Sequence, residues 1–138
     1  MSDLVYVALG SNLGDRESTL KKARAAIGAI RDTRIVAEST IEETEPVGPV
    51  PQPRYLNQMV AVETSLSPRT FLSALQRIER AAGRVRSVRW GPRTLDLDIV
   101  LIEGKEFSDE SLTVPHPELP NRDFWQRELD ELRAVPHV

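Results

Sequence analysis

Apolar positions along this chain alternate between the period of a strand and that of a helix. Val5 to Leu9 is an apolar, partly β-branched run that stops at Gly10-Ser11-Asn12-Leu13-Gly14, a cluster that punctuates a strand. Next, Leu20, Ala23, Ile27 and Ile30, spaced 3, 4 and 3 apart, predict a helix capped by Asp15 and ending near Asp32. Residues 34–42 and 56–66 read as strands. The second is the stronger, because Met59, Ala61 and Glu63 alternate with Val60, Val62 and Thr64. Ser67-Pro68 opens a second helix with Phe71, Leu75, Ile78 and Ala82 as its buried stripe and Gly83 at its close. A strand over Asp96 to Ile102, a short one over Leu112 to Val114, and a helix from Asp123 with Trp125, Leu129 and Leu132 on one face complete the pattern.

The order strand, helix, strand, strand, helix, strand is that of a ferredoxin-like α+β sandwich: a mainly antiparallel sheet, expected here to carry helices on one face. With 138 residues, 40% of them hydrophobic and 28% charged, the chain suits one domain over residues 1–138 and is too short for two. A net charge of −3 argues against general affinity for nucleic acid but leaves room for a local basic cluster. The absence of cysteine excludes disulfide and thiol chemistry. No apolar run reaches membrane-spanning length, and the Met-Ser-Asp-Leu start has no basic or apolar signal character. The expectation is a soluble cytoplasmic protein. There is no repeat, low-complexity tract or linker.

The most informative chemistry lies in Arg89-Trp90-Gly91-Pro92-Arg93-Thr94-Leu95-Asp96-Leu97-Asp98-Ile99. On a strand, Asp96 and Asp98 point to the same side, with Leu95, Leu97, Ile99 and Leu101 expected on the other. Two carboxylates with positions left open for phosphate oxygens suit Mg²⁺, and Arg89 and Arg93 stand ready for the phosphates themselves. The segment reads as a nucleoside triphosphate site. Gly10 to Gly14 invites comparison with a phosphate loop, yet it lacks the Gly-Lys-Ser/Thr ending and the dinucleotide spacing, so a tight turn with a helix cap is favoured.

The loop from Thr44 to Pro53 holds four prolines, and Tyr55 and Asn57 follow it at i and i+2. That pairing presents a flat ring and a two-way amide on one side, which suits either a planar heterocycle or a rigid connection; spacing leaves the two evenly matched. Gln76, Glu79 and Arg80 are expected on a polar helix face that leads into Gly83 to Arg93, a segment with four arginines. Such a loop suits closure over a triphosphate, and less well a nucleic-acid patch, since aromatics are sparse. His116 sits between Pro115 and Pro117, six residues before Arg122, and has a phosphate role only if its loop faces the aspartate strand; His137 reads as inert.

Ala8 to Asp15, Thr44 to Gly48, Tyr55-Leu56-Asn57, Gln76 to Glu79, Gly83 to Arg86, Arg89 to Leu101 and Val114 to Pro117 resemble, in order, segments of the 6-hydroxymethyl-7,8-dihydropterin pyrophosphokinase family. The resemblance covers roughly residues 4–125. It implies a ferredoxin-like fold and transfer of diphosphate from ATP to the pterin hydroxymethyl group, giving AMP, in folate biosynthesis. It also implies two Mg²⁺ ions held by Asp96 and Asp98. Arg84 and Arg93 would act on the phosphates. ATP would meet Gln76, Glu79, Arg86, Trp90, Arg93, Ile99, Thr113, His116 and Arg122. The pterin would lie between Tyr55 and Phe124, with Asn57 at its edge and Thr44, Glu45 and Val47 completing the pocket. Small-molecule substrates, no nucleic acid, no membrane and a monomeric state are the partner expectations.

The chain departs from the family pattern after Phe124, where Trp125-Gln126-Arg127-Glu128-Leu129 replaces the usual apolar run. That departure supports one competing reading, a degenerate paralogue that binds pterin or nucleotide without turnover; a nucleic-acid-binding ferredoxin-like module is a separate and less favoured one.

Overall fold

The computed structural model describes residues 2–46, 48–49, 51–83 and 94–134. Its elements run β1 (Asp3–Ser11), α1 (Arg16–Gly28), β2 (Thr33–Glu38), β3 (Glu42–Thr44), β4 (Tyr55–Thr64), α2 (Pro68–Ala81), β5 (Asp96–Ile102), β6 (Phe107–Ser108), β7 (Thr113–Val114) and α3 (Asp123–Arg133). The main sheet has the order β2-β4-β1-β5, with β3 also paired to β4 and every neighbour antiparallel. This is the ferredoxin-like arrangement, in which β5 is an edge strand.

Local chemistry explains the helix starts. Asp15 accepts the Ser18 N–H at 3.1 Å, and Ser67 accepts the Thr70 N–H at 3.2 Å with Pro68 in the first turn. The start of α3 has no side-chain cap; instead Gln126 donates to the Leu119 and Pro120 carbonyls and ties the helix to the turn before it.

Three expectations need correction. The strand expected over 34–42 is two strands, because Ser39 interrupts it: its hydroxyl accepts the Met59 N–H at 2.9 Å, where a continuous ladder would use a carbonyl. Helices cover both faces of the sheet. Leu20, Ala23 and Ile27 of α1 and Phe71 and Leu75 of α2 pack on Val5, Val7, Leu9, Val60, Val62, Leu97 and Ile99. Trp125, Leu129 and Leu132 of α3 cover Tyr6, Ala8, Met59, Ala61 and Val100 on the other side. Finally, Leu101 leaves the face of Leu97 and Ile99. The β1–β5 register shifts between Tyr6, opposite Leu101, and Val7, opposite Ile99. One extra residue reverses the alternation, so Ile102 joins the α1/α2 core while Leu101 packs towards α3. The expected short strand near Val114 is present, paired with Phe107–Ser108, which periodicity did not reveal.

Candidate active site

Cross-strand pairing assembles one row of residues from three strands. Gly10 of β1 faces Asp96 of β5 on one side and Asn57 of β4 on the other; Ala8, one pair further in, faces Asp98 and Met59. Directly opposed residues share a face, so Asp96, Asp98, Tyr55 and Asn57 all lie on the α3 side of the sheet. The apolar part of that side is covered by α3, and the polar part continues along the same strands.

Gly10 belongs to β1, and the space above it is what matters. A Cβ there would stand 3.2 Å from Asn57 Oδ1 and 3.3 Å from the Tyr55 ring, so glycine lets the ring and the amide settle against the strand. The Tyr55 hydroxyl lies 3.5 Å from Asp96 Oδ2, linking ring and carboxylate. Asn57 Nδ2 donates to Thr44 Oγ1, which binds β4 to β3. The turn after Gly10 serves structure, as favoured: Asn12 donates to Gln52 Oε1 at 2.7 Å and to the Pro53 carbonyl at 3.0 Å, pinning the proline loop beside Tyr55.

A second region opens at the outer edge of β5. A cavity of about 360 Å³ is lined by Gln76 and Glu79 from α2, Asp98 and Ile99 from β5, and Thr113 and His116 beyond it. Glu79 contradicts the polar-face expectation. It is buried, and its Oε2 accepts the Leu97 N–H at 2.8 Å, so it caps a sheet-edge donor instead of facing water. Three residues further along, the Val100 carbonyl accepts the His116 N–H at 2.8 Å. Ile99 lies between these capped groups, with its backbone directed outwards like that of Leu97.

The His116 side chain is oriented from both ends. Its Nδ1 accepts the Glu118 N–H at 3.0 Å, which leaves the neutral ring's proton on Nε2, 3.9 Å from Asp98 Oδ1. Burial, and then the positive charge of Arg122, hold its pKa below the ordinary 6.5. Trp125 organises this group: its ring meets His116 edge-on at 4.9 Å and carries the Arg122 guanidinium at 4.4 Å. The α3 stripe marked Trp125 as core, but its link to His116 had no local signal.

The remaining residues are distributed as follows. Phe124 is half-buried at the rim of the α3-side cluster, 6.2 Å from Trp125. Glu45 is exposed and paired with Arg54 at 2.8 Å, which turns its charge to solvent. Val47, Arg84, Arg86, Arg89, Trp90, Arg93 and His137 lie outside the described residues. Among the described residues, no three His, Cys, Asp or Glu side chains gather as a metal cage.

Comparison with known proteins adds a line of argument independent of this geometry. Residues 6–134 match the family described as 7,8-dihydro-6-hydroxymethylpterin-pyrophosphokinase (HPPK). A 2-amino-4-hydroxy-6-hydroxymethyldihydropteridine pyrophosphokinase of Bacillus subtilis is 44% identical over 132 residues, covering 96% of this chain and 79% of the relative. One of Haemophilus influenzae is 46% identical over 119 residues, covering 86% and 74%. A crystal structure of HPPK-DHPS in complex with substrates aligns with all of this chain and 33% of its own, at a TM-score of 0.61 and 12% identity, a likeness of fold.

Proposed function

The chain belongs to the 7,8-dihydro-6-hydroxymethylpterin-pyrophosphokinase family, and from that premise we propose how its described surfaces divide between two substrates. It is a transferase of folate biosynthesis that moves diphosphate from ATP to hydroxymethyldihydropterin. In our reading the pterin lies against Tyr55, above Gly10, with Asn57 and Thr44 at its hydrogen-bonding edge and Phe124 as a second wall. ATP enters the cavity at the β5 edge. There the outward backbone of Ile99 and the neighbouring Thr113 meet the base, and Gln76 and Glu79 form the wall behind it. His116 offers Nε2–H, and Arg122 its charge, towards the phosphates.

The observation that carries this reading is the row Asp96-Gly10-Asn57. It joins the carboxylates to the aromatic pocket across adjacent strands, so both substrates meet over β1. Asp96 and Asp98 fit Mg²⁺ by their chemistry: two partly exposed carboxylates on one side of a strand, without a third acidic or histidine ligand among the described residues. That donor set would hold Mg²⁺, two ions in our reading, with room beside it for phosphate and water. Bound there, Mg²⁺ supplies neutralisation of phosphate charge as AMP leaves.

The hydroxymethyl oxygen attacks the β-phosphorus in line and gives up its proton to water, as the bond from that phosphorus to the α,β-bridging oxygen breaks and its electron pair leaves with AMP. This chain's residues therefore act chiefly by position. Tyr55 and Asn57 hold the nucleophile's ring, and the β5 edge holds the nucleotide. Arg84, Arg86, Trp90 and Arg93 complete the phosphate and nucleotide contacts, with Glu45 and Val47 contributing backbone to the pterin side. We further propose that the protein works as a cytoplasmic monomer on these small molecules, without nucleic acid; no helix among the described residues is long and apolar enough to cross a membrane.

The test is AMP formation from ATP in Mg²⁺, with and without hydroxymethyldihydropterin. AMP that appears only with the pterin is expected. Pterin binding without AMP would instead identify a degenerate paralogue. Salt-sensitive oligonucleotide binding without pterin binding would point to a nucleic-acid module.

A further inference from the structure

Glu128 occupies a position where an ionised carboxylate would be costly. It falls on the inward stripe of α3 with Trp125, Leu129 and Leu132, and is only 1% exposed. Both its carboxyl oxygens and Glu42 Oε1 are buried without a hydrogen-bond partner, yet the two carboxyl groups lie within hydrogen-bonding reach of each other. The other Glu42 oxygen is occupied: Arg127 donates to Oε2 from Nε at 3.2 Å and from Nη2 at 3.1 Å. Two facing acceptors can bond only if one of them carries a proton.

We propose that Glu128 and Glu42 share one proton, and that this pair clamps α3 to β3 and so positions Thr44 and Asn57 at the pterin pocket. Glu42 pairs directly with Asn57 across the β3–β4 ladder, and Asn57 in turn donates to Thr44 at the other end of β3. β3 has only three residues, and the Glu128–Glu42 hydrogen bond adds to the other links from the helix above, Arg127 to Glu42 and Glu131 to Thr40, that hold it. The charged groups around Glu128 are Glu42 on β3 and Arg127 and Glu131 on α3; β4 and β1 present Met59, Ala61, Tyr6 and Ala8 to the helix. Burial first, then the facing Glu42, pushes the Glu128 pKa up to about 9, while Arg127 opposes the shift.

The clamp makes its full contribution below the ordinary carboxyl value of 4.5 and loses it as pH rises through about 9. The positioning role rests on the pterin reading above, so its experiment has two arms. In the first, thermal unfolding of the wild type and of Glu128→Gln is followed against pH without substrate. The amide introduced by this substitution donates to Glu42 without titrating, and the variant should lack the alkaline loss of stability that the wild type shows. Identical profiles would overturn the shared proton.

In the second arm, kcat and KM for hydroxymethyldihydropterin are measured against pH. Above pH 9 the wild-type KM should rise about five-fold relative to Glu128→Gln, the scale of one hydrogen bond, with the kcat ratio unchanged. Glu128→Ala should raise KM at every pH; if that variant does not fold, the comparison of wild type with Glu128→Gln decides this arm alone. An unfolding difference with no KM difference would overturn the positioning role. Wild type that binds no pterin at any pH, with the unfolding difference intact, would overturn the pterin reading instead.

Discussion

The two faces of the central sheet are built from the same strands and put to different uses. Towards α1 and α2, Val5, Val7, Leu9, Val60, Val62, Leu97 and Ile99 present a mainly hydrocarbon surface, interrupted at Gln58, opposite Leu9, whose amide accepts from Arg24 of α1 and donates to the Ser39 carbonyl. Towards α3, hydrocarbon gives way along each strand to chemistry: Tyr6 and Ala8 to Gly10, Ala61 and Met59 to Asn57 and Tyr55, Val100 to Asp98 and Asp96. Because alternate residues take opposite faces, one strand supplies both, and the more apolar face holds the polar one in register. The α3 face is left free to contain half-buried carboxylates, a glycine gap and a buried acid.

Removing either carboxylate breaks the comparison most sharply. Asp96→Ala or Asp98→Ala should lower diphosphate transfer by about a thousand-fold or more, roughly 4 kcal/mol of transition-state stabilisation, with the unfolding midpoint almost unchanged. AMP release assayed beside calorimetry checks this, and normal turnover in either variant would sink the metal assignment. The opposite face predicts the converse. Phe71→Ala, at a residue 1% exposed between α2 and the sheet, should destabilise the fold by about 3–5 kcal/mol. The fraction still folded, counted by denaturant titration, should keep wild-type KM values.

A smaller effect is expected where the faces meet. Gly10→Ala places a methyl 3.2 Å from Asn57 Oδ1 and 3.3 Å from Tyr55, so the ring must shift by tenths of an ångström. The KM for pterin should rise by about ten-fold, near 1.4 kcal/mol, while that for ATP stays within about two-fold. A KM for ATP that rose as much would remove the assignment of Tyr55 to the pterin side. The smallest effect concerns His116. Arg122→Ala removes the second cause of its lowered pKa but leaves burial, the larger one, in place. An NMR titration should therefore show a partial rise towards 6.5. Since the folded pKa lies below that value, stability linked to His116 is present above pH 6.5 and lost as pH falls through the folded value.

How far the sequence foretold this structure depends on the range of the physics involved. The cap at Ser67, the limits of Asp96 to Ile102 and the shared direction of Asp96 and Asp98 follow from neighbouring residues, and all were legible. Tyr55 and Asn57 were legible as a pair, though Gly10, the residue that gives their side chains room, was read only as part of a turn. Leu101 was misplaced because a bulge belongs to the pairing of two strands, and Glu79 because its partner, the Leu97 N–H, lies 18 residues away. Glu128 sits three residues after Trp125, on the same helical face, so its burial was within reach of periodicity. Its charge pointed the other way, and only the facing Glu42 explains it.

The edge of β5 has one more consequence. An exposed terminal strand offers unpaired N–H and C=O groups to any other strand that meets it, the first step of edge-to-edge association. Here the Glu79 carboxylate occupies the Leu97 N–H and the His116 backbone occupies the Val100 carbonyl, three residues apart. A foreign strand would have to displace a buried carboxylate to add there. The two contacts that frame the cavity at the β5 edge therefore also guard the sheet against aggregation, so Glu79→Ala should lower the concentration at which the folded protein begins to self-associate.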